Sequence, residues 1–114
     1  MLRMAFAMAL LALATPHASA QQQECFVVHG RLQIGNGTPS VRIWRIGTHR
    51  MLGVSDGPPG DELSNLPENV RGALQERPLA RRVFGDFHVC ALTPQRDGQM
   101  QLVRVESAEI AAIR

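Results

Sequence analysis

Cys25-Phe26-Val27-Val28-His29-Gly30-Arg31-Leu32-Gln33-Ile34 repeats its chemistry every second residue. Phe26, Val28, Leu32 and Ile34 fall on one side of an extended segment, with Gly30 between them. Cys25, His29, Arg31 and Gln33 fall on the other. A period of two is the signature of a strand with one face buried, whereas an amphipathic helix repeats every 3.6 residues. The run stops at Gly35-Asn36-Gly37-Thr38-Pro39. Asn-Gly supplies the positive φ of a tight turn, and Pro39 cannot continue a central ladder, so a hairpin is expected. Val41 to Ile46 then reads as a β-branched and aromatic strand carrying Arg42 and Arg45. Gly47-Thr48-His49 interrupts it and Arg50 to Val54 resumes, which predicts a second hairpin.

The character changes over 55–82. Asp56-Gly57-Pro58-Pro59-Gly60-Asp61 is a concentrated breaker, and no β period follows it, so the segment reads as a long loop inserted between strands. Within it, Leu66, Val70 and Leu74 stand four apart. They predict a short helix over 66–76 with Asn65 as its cap and Pro67 near its first position. Alternation returns at Arg82 to Leu92, with Val83, Phe87, Val89 and Ala91 against Phe84, Asp86, His88 and Cys90. Asp97-Gly98 marks another turn, Gln99 to Glu106 gives a last strand, and Ser107 to Arg114 is expected to fray or form a helical tail. The chain therefore reads as mainly β: a small antiparallel sandwich or barrel, with a long loop carrying one short helix.

Residues 1–20 read as a cleaved signal peptide, leaving a single β domain over 21–114. Arg3 is followed by the apolar run Ala5 to Ala14 and by Ala18-Ser19-Ala20, the small residues a signal peptidase accepts. Ten apolar residues are too few to span hydrocarbon, which takes about 20, and no membrane anchor is expected in the mature form. A periplasmic or secreted protein follows from that reading. A domain of this size buries roughly 60–65% of its unfolded surface, so a covalent staple matters. Cys25 and Cys90 are the two cysteines. They lie far apart in sequence, belong to no Cys-x-x-Cys, and are expected to form a structural disulfide. Both sit on the less apolar sides of their strands. If these strands are antiparallel neighbours with the cysteines opposed, paired residue numbers sum to 115, which sets Val27 against His88 and His29 against Asp86.

Charge argues against a nucleic-acid role. The formal net charge is +2, from 12 basic and 10 acidic residues; all the basic ones are arginine, they are spread along the chain, and Arg81-Arg82 is the one adjacent pair. No phosphate-tracking stripe is visible. Gly-x-Ser-x-Gly, Gly-x-x-x-x-Gly-Lys and Gly-x-Gly-x-x-Gly are absent from the sequence, so no catalytic centre or cofactor site is assigned. His29, Asp86 and His88 form a candidate polar cluster of zinc- or copper-compatible groups, but their local spacing is not a metal signature. Trp44 is the lone tryptophan. On a strand it reads first as a core plug and second as a partner surface, in which Arg42 and Arg45, with Arg50, would form a rim facing an acidic partner.

Val28-His29-Gly30-Arg31-Leu32, Asn36-Gly37-x-Pro39, Val41-Arg42-Ile43-Trp44 and Gly85-Asp86-Phe87 resemble the pattern of prealbumin-like β-sandwiches. That group includes transthyretin-like and carboxypeptidase-regulatory-like domains. The chain also resembles small exported proteins of Gram-negative bacteria. The resemblance implies a noncatalytic folding, adhesion or binding module and carries over no functional residue. The function expected is thus an exported noncatalytic binding or structural module of the cell envelope, whose partner is another envelope protein or polymer. The alternative is a small secreted enzyme or metal-binding protein using the face of His29, Asp86 and His88.

Overall fold

In the computed structural model, which describes residues 24–55 and 62–114, the opening stretch forms β1 (Cys25–Ile34). The signal peptide expected over 1–20, the mature start at Gln21 and the breaker residues 56–61 lie outside the described residues. β2 (Val41–Arg45) returns antiparallel to β1, and β3 (Met51–Val54) returns antiparallel to β2. Both expected hairpins are therefore formed. In the first connection, Gly37 takes φ 101° and the Gly35 N–H donates to Ser40 O at 2.9 Å. Positive φ is where glycine has no steric penalty, which is why this corner is built on Asn-Gly.

A single turn of 3₁₀ helix (Glu62–Asn65) and α1 (Glu68–Leu74) then lead to β4 (Val83–Ala91) and β5 (Gln101–Ile113). The five strands close into a barrel in the order β1-β2-β3-β5-β4, with β4 pairing back onto β1. Four of the five pairings are antiparallel and the closing one, β3 with β5, is parallel. The parallel pair exists because the chain crosses from β3 through α1 and β4 before β5 begins. The result is a closed five-stranded barrel with one short helix between β3 and β4.

β1 belongs to both halves of the wall. Its second half pairs with β2 over Gly30–Ile34, while nearly its whole length pairs with β4 over Cys25–Leu32. Gly30 stands at the branch, opposite Gly85. A Cβ on Gly30 would come within 2.6 Å of Ile43 Cγ2 and 2.8 Å of the Trp44 carbonyl oxygen, and one on Gly85 would collide with the Glu109 carbonyl. Both positions need glycine because another backbone passes too close for any side chain.

The inward parity of each strand fills the barrel. Val28, Leu32, Val41, Ile43, Leu52, Val83, Phe87 and Val103 are almost completely buried. The helix closes one end: Leu66, Val70 and Leu74, the expected apolar face, are buried in the same cluster. Its start differs from expectation. Pro67 occupies the cap position with no side-chain hydrogen bond, and Asn65 ends the preceding 3₁₀ turn. Proline disfavours helical backbone at the residue before it, so the helix cannot begin upstream of Pro67. Asn69 ties the helix to the wall, donating from Nδ2 to Ala108 O at 2.7 Å.

The C-terminal segment departs most from the sequence reading. Ser107–Ile113 is neither frayed nor helical but continues β5 along the full length of β4, with register shifts at Phe84/Gly85 and His88/Val89. Arg82 and Arg114 then exchange both backbone hydrogen bonds, at 2.7 and 2.9 Å. The local preference of an alanine-rich tail for helix is overridden by the long unpaired edge that β4 presents.

Candidate functional site

Residues that face outward on β1 and β4 meet in rows across the wall. The register is that of the sum 115: Cys25 opposes Cys90, Val27 opposes His88 and His29 opposes Asp86. Cys25 and Cys90 are joined in a disulfide with Cα atoms 4.0 Å apart. Such a bond persists in an oxidising compartment and not in a reducing cytosol. Among the described residues, no helix is long and apolar enough to cross a membrane.

One row further in, His29 Nδ1 and Asp86 Oδ1 form a hydrogen bond of 2.8 Å. The pair is largely exposed, with side-chain accessibilities of 68% and 46%. His88 lies on the same face of β4 but is opposed to Val27, not to His29. Among the described residues, no group of three His, Cys, Asp or Glu side chains converges closely enough to hold a metal ion. The strand ladder places His88 one row away from the hydrogen-bonded pair of His29 and Asp86.

Trp44 is not a core plug. β2 turns Val41 and Ile43 inward, both buried, which places Arg42 and Trp44 on the outer side. A five-stranded barrel has a narrow interior, and Phe87 already supplies its aromatic bulk. The indole is fixed in place, with Nε1 donating to Thr48 O at 2.8 Å. Its cross-strand neighbour Arg31 lies over the ring, the guanidinium carbon 4.9 Å from the centroid. This is a cation–π contact between half-exposed groups.

The expected arginine rim divides. Arg42 shares the Trp44 face, where its Nε donates to Pro39 O at 3.1 Å and braces the β1–β2 corner. Arg45 has the opposite parity on β2. Arg50 turns toward the open end of the barrel, hydrogen bonds to Gln101 Oε1 and sits 5.9 Å from the Phe26 centroid. A cleft of about 520 Å³ opens beside it, between the β2–β3 turn and the β4–β5 loop, with His49, Arg96, Met51 and Met100 among its lining.

Sequence reasoning placed Arg31 and Phe84 on the outward sides of their strands without singling them out as site residues, and it missed Arg82 and Arg114 as members of the outer wall. Arg31 pairs with Trp44 on one side and with Phe84 on the other, and Arg114 lies 5.9 Å from the Phe84 centroid. The sum of 115 carries the signal for the first of these, since it sets Arg31 opposite Phe84. No such signal existed for Arg114, whose segment was read as a tail. Searches against protein-family models, curated proteins and solved structures find no match to this chain.

Proposed function

We propose that the chain is exported to the periplasm or beyond and acts there as a noncatalytic binding module of the cell envelope. It would engage an envelope protein or polymer through the outer wall around Trp44. The observation that carries the reading is the placement of the sole tryptophan. An indole outside the core, anchored by its N–H and held under a guanidinium, is a rigid contact surface that loses little conformational freedom on binding. The disulfide supports the compartment. By fold-level analogy alone, some five-stranded barrels take oligomeric ligands across their outer strands.

Site-specific photocrosslinking in the native envelope tests this. Ile46 lies two residues from Trp44, in the turn just past the end of β2, and Arg77 is exposed beyond the helix. A photoreactive residue at position 46 should give a discrete crosslinked species that position 77 does not. Equal yields at both positions, or none at either, would remove the reading.

A further inference from the structure

The outer wall holds more charge than the neighbourhood of Trp44 reveals. Following one row across the strands, Trp44 on β2 opposes Arg31 on β1, Arg31 opposes Phe84 on β4, and Phe84 opposes Ala112 on β5. Arg114 reaches back over Phe84. The row therefore alternates ring and guanidinium: Trp44, Arg31, Phe84, Arg114. In the flanking row, Arg42 opposes Gln33, and Arg82 precedes Phe84 by two residues while its backbone pairs with Arg114. Four guanidinium groups and two aromatic rings thus occupy two adjacent rows.

Among the described residues, these cations have no carboxylate partner. Among the described residues, the ion pairs are His29 with Asp86, in the next row of the same wall, and Arg104 with Glu106, and neither includes Arg31, Arg42, Arg82 or Arg114. Arg31 Nε and Gln33 Oε1 are in addition buried with no hydrogen-bond partner among the described residues.

The chemistry of the occupant follows from this composition. A guanidinium binds a carboxylate through a planar two-bond fork, while Trp44 and Phe84 offer flat apolar faces between the charges. A ligand that alternates carboxylates with rigid rings fits both. The patch spans four strands, about 15 Å at the usual strand spacing, which suits a short stretch of polymer. The next row carries Asp86 and Glu109 in register with each other, so the positive surface ends there and does not extend into the long track that a nucleic-acid backbone requires.

We infer that Arg31, Arg42, Arg82 and Arg114, together with Trp44 and Phe84, form a binding site for an acidic polysaccharide, its carboxylates held by the guanidinium groups and its rings laid against the two aromatics. The inference rests on the binding-module reading and names its ligand.

Trp44 is the single tryptophan, so its emission reports on the site directly. The oxidised protein is titrated with polygalacturonate, with neutral dextran and with a single-stranded oligonucleotide, at low and at moderate salt. Polygalacturonate should give a saturable change in emission that weakens with salt, and dextran none. Arg82→Ala and Arg114→Ala remove exposed side chains and should each raise half-saturation about tenfold, with the emission of the free protein unchanged as a control for folding. Three results would overturn the proposal: no saturable response to polygalacturonate at low salt, a response that both variants retain in full, or tighter binding of the oligonucleotide. A crosslink from position 46 without a polygalacturonate response would leave the binding module standing and reject this ligand alone.

Discussion

Gly30 and Gly85 face each other across β1 and β4, at the point where β1 passes from one half of the barrel wall to the other. The barrel closes here because neither residue has a side chain. A methyl group on Gly30 would meet Ile43 Cγ2, which has some room to shift. One on Gly85 would meet the Glu109 carbonyl, which is held in the β4–β5 ladder. Gly85→Ala should therefore be the worse substitution, costing on the order of 3 kcal/mol or preventing folding, and Gly30→Ala should cost less. Urea unfolding of both variants checks the order; equal midpoints would show that the wall can open to admit the methyl.

The Cys25–Cys90 bridge closes a loop of 65 residues. On the chain-entropy account it stabilises the fold by roughly 4 kcal/mol. Replacing both cysteines by alanine should lower the denaturation midpoint by a corresponding amount while keeping the β circular-dichroism spectrum, because the β1–β4 ladder does not depend on the sulfur atoms. Intact-mass measurement of the wild-type protein should show the loss of two hydrogens.

His29 and Asp86 are hydrogen bonded yet largely exposed. Surface ion pairs of this kind contribute about 0–1 kcal/mol. His29→Ala, Asp86→Asn and the double variant should all unfold within about 1 kcal/mol of wild type, with a small coupling energy in the double-mutant cycle. A coupling several times larger would mean that the pair anchors the sheet.

Phe87 is fully buried, whereas Trp44 lies on the outer wall. Phe87→Ala should cost about 3–5 kcal/mol, and Trp44→Ala markedly less, although the indole is the larger group. Chemical denaturation of the two variants tests the assignment of core and surface. The reverse order would return Trp44 to the interior.

Asn69 joins α1 to β5 through Ala108 O. Asn69→Ala should cost about 1 kcal/mol and should raise amide exchange in the helix more than in β1. Uniform exchange would show that burial of Val70 and Leu74 alone holds the helix.

Much of this architecture was legible in the chain. The period of two from Phe26 to Ile34, the Asn-Gly corner and the helix face of Leu66, Val70 and Leu74 are local patterns, and each appears where it was expected. The β1–β4 register was legible for a different reason. Side chains alternate strictly along a strand, so one fixed pair of cysteines determines which residues oppose each other all along the ladder. Trp44 was misread because β2 is apolar on both parities, and alternation cannot then say which side faces in. Ser107–Ile113 was misread because its alanines favour helix locally, and the edge they pair with lies more than twenty residues away.

By itself, then, the sequence determined the strand identities, the two hairpins, the apolar helix face and the Cys25–Cys90 pairing, since each depends on near neighbours or on a count of two. The tertiary structure decided how the barrel closes, that β3 and β5 run parallel, and that Arg31, Arg82 and Arg114 join Trp44 and Phe84 on one wall. Those relations come from strands distant in the chain competing for the same hydrogen-bonding edges, and a periodicity read along one strand does not contain the outcome of that competition.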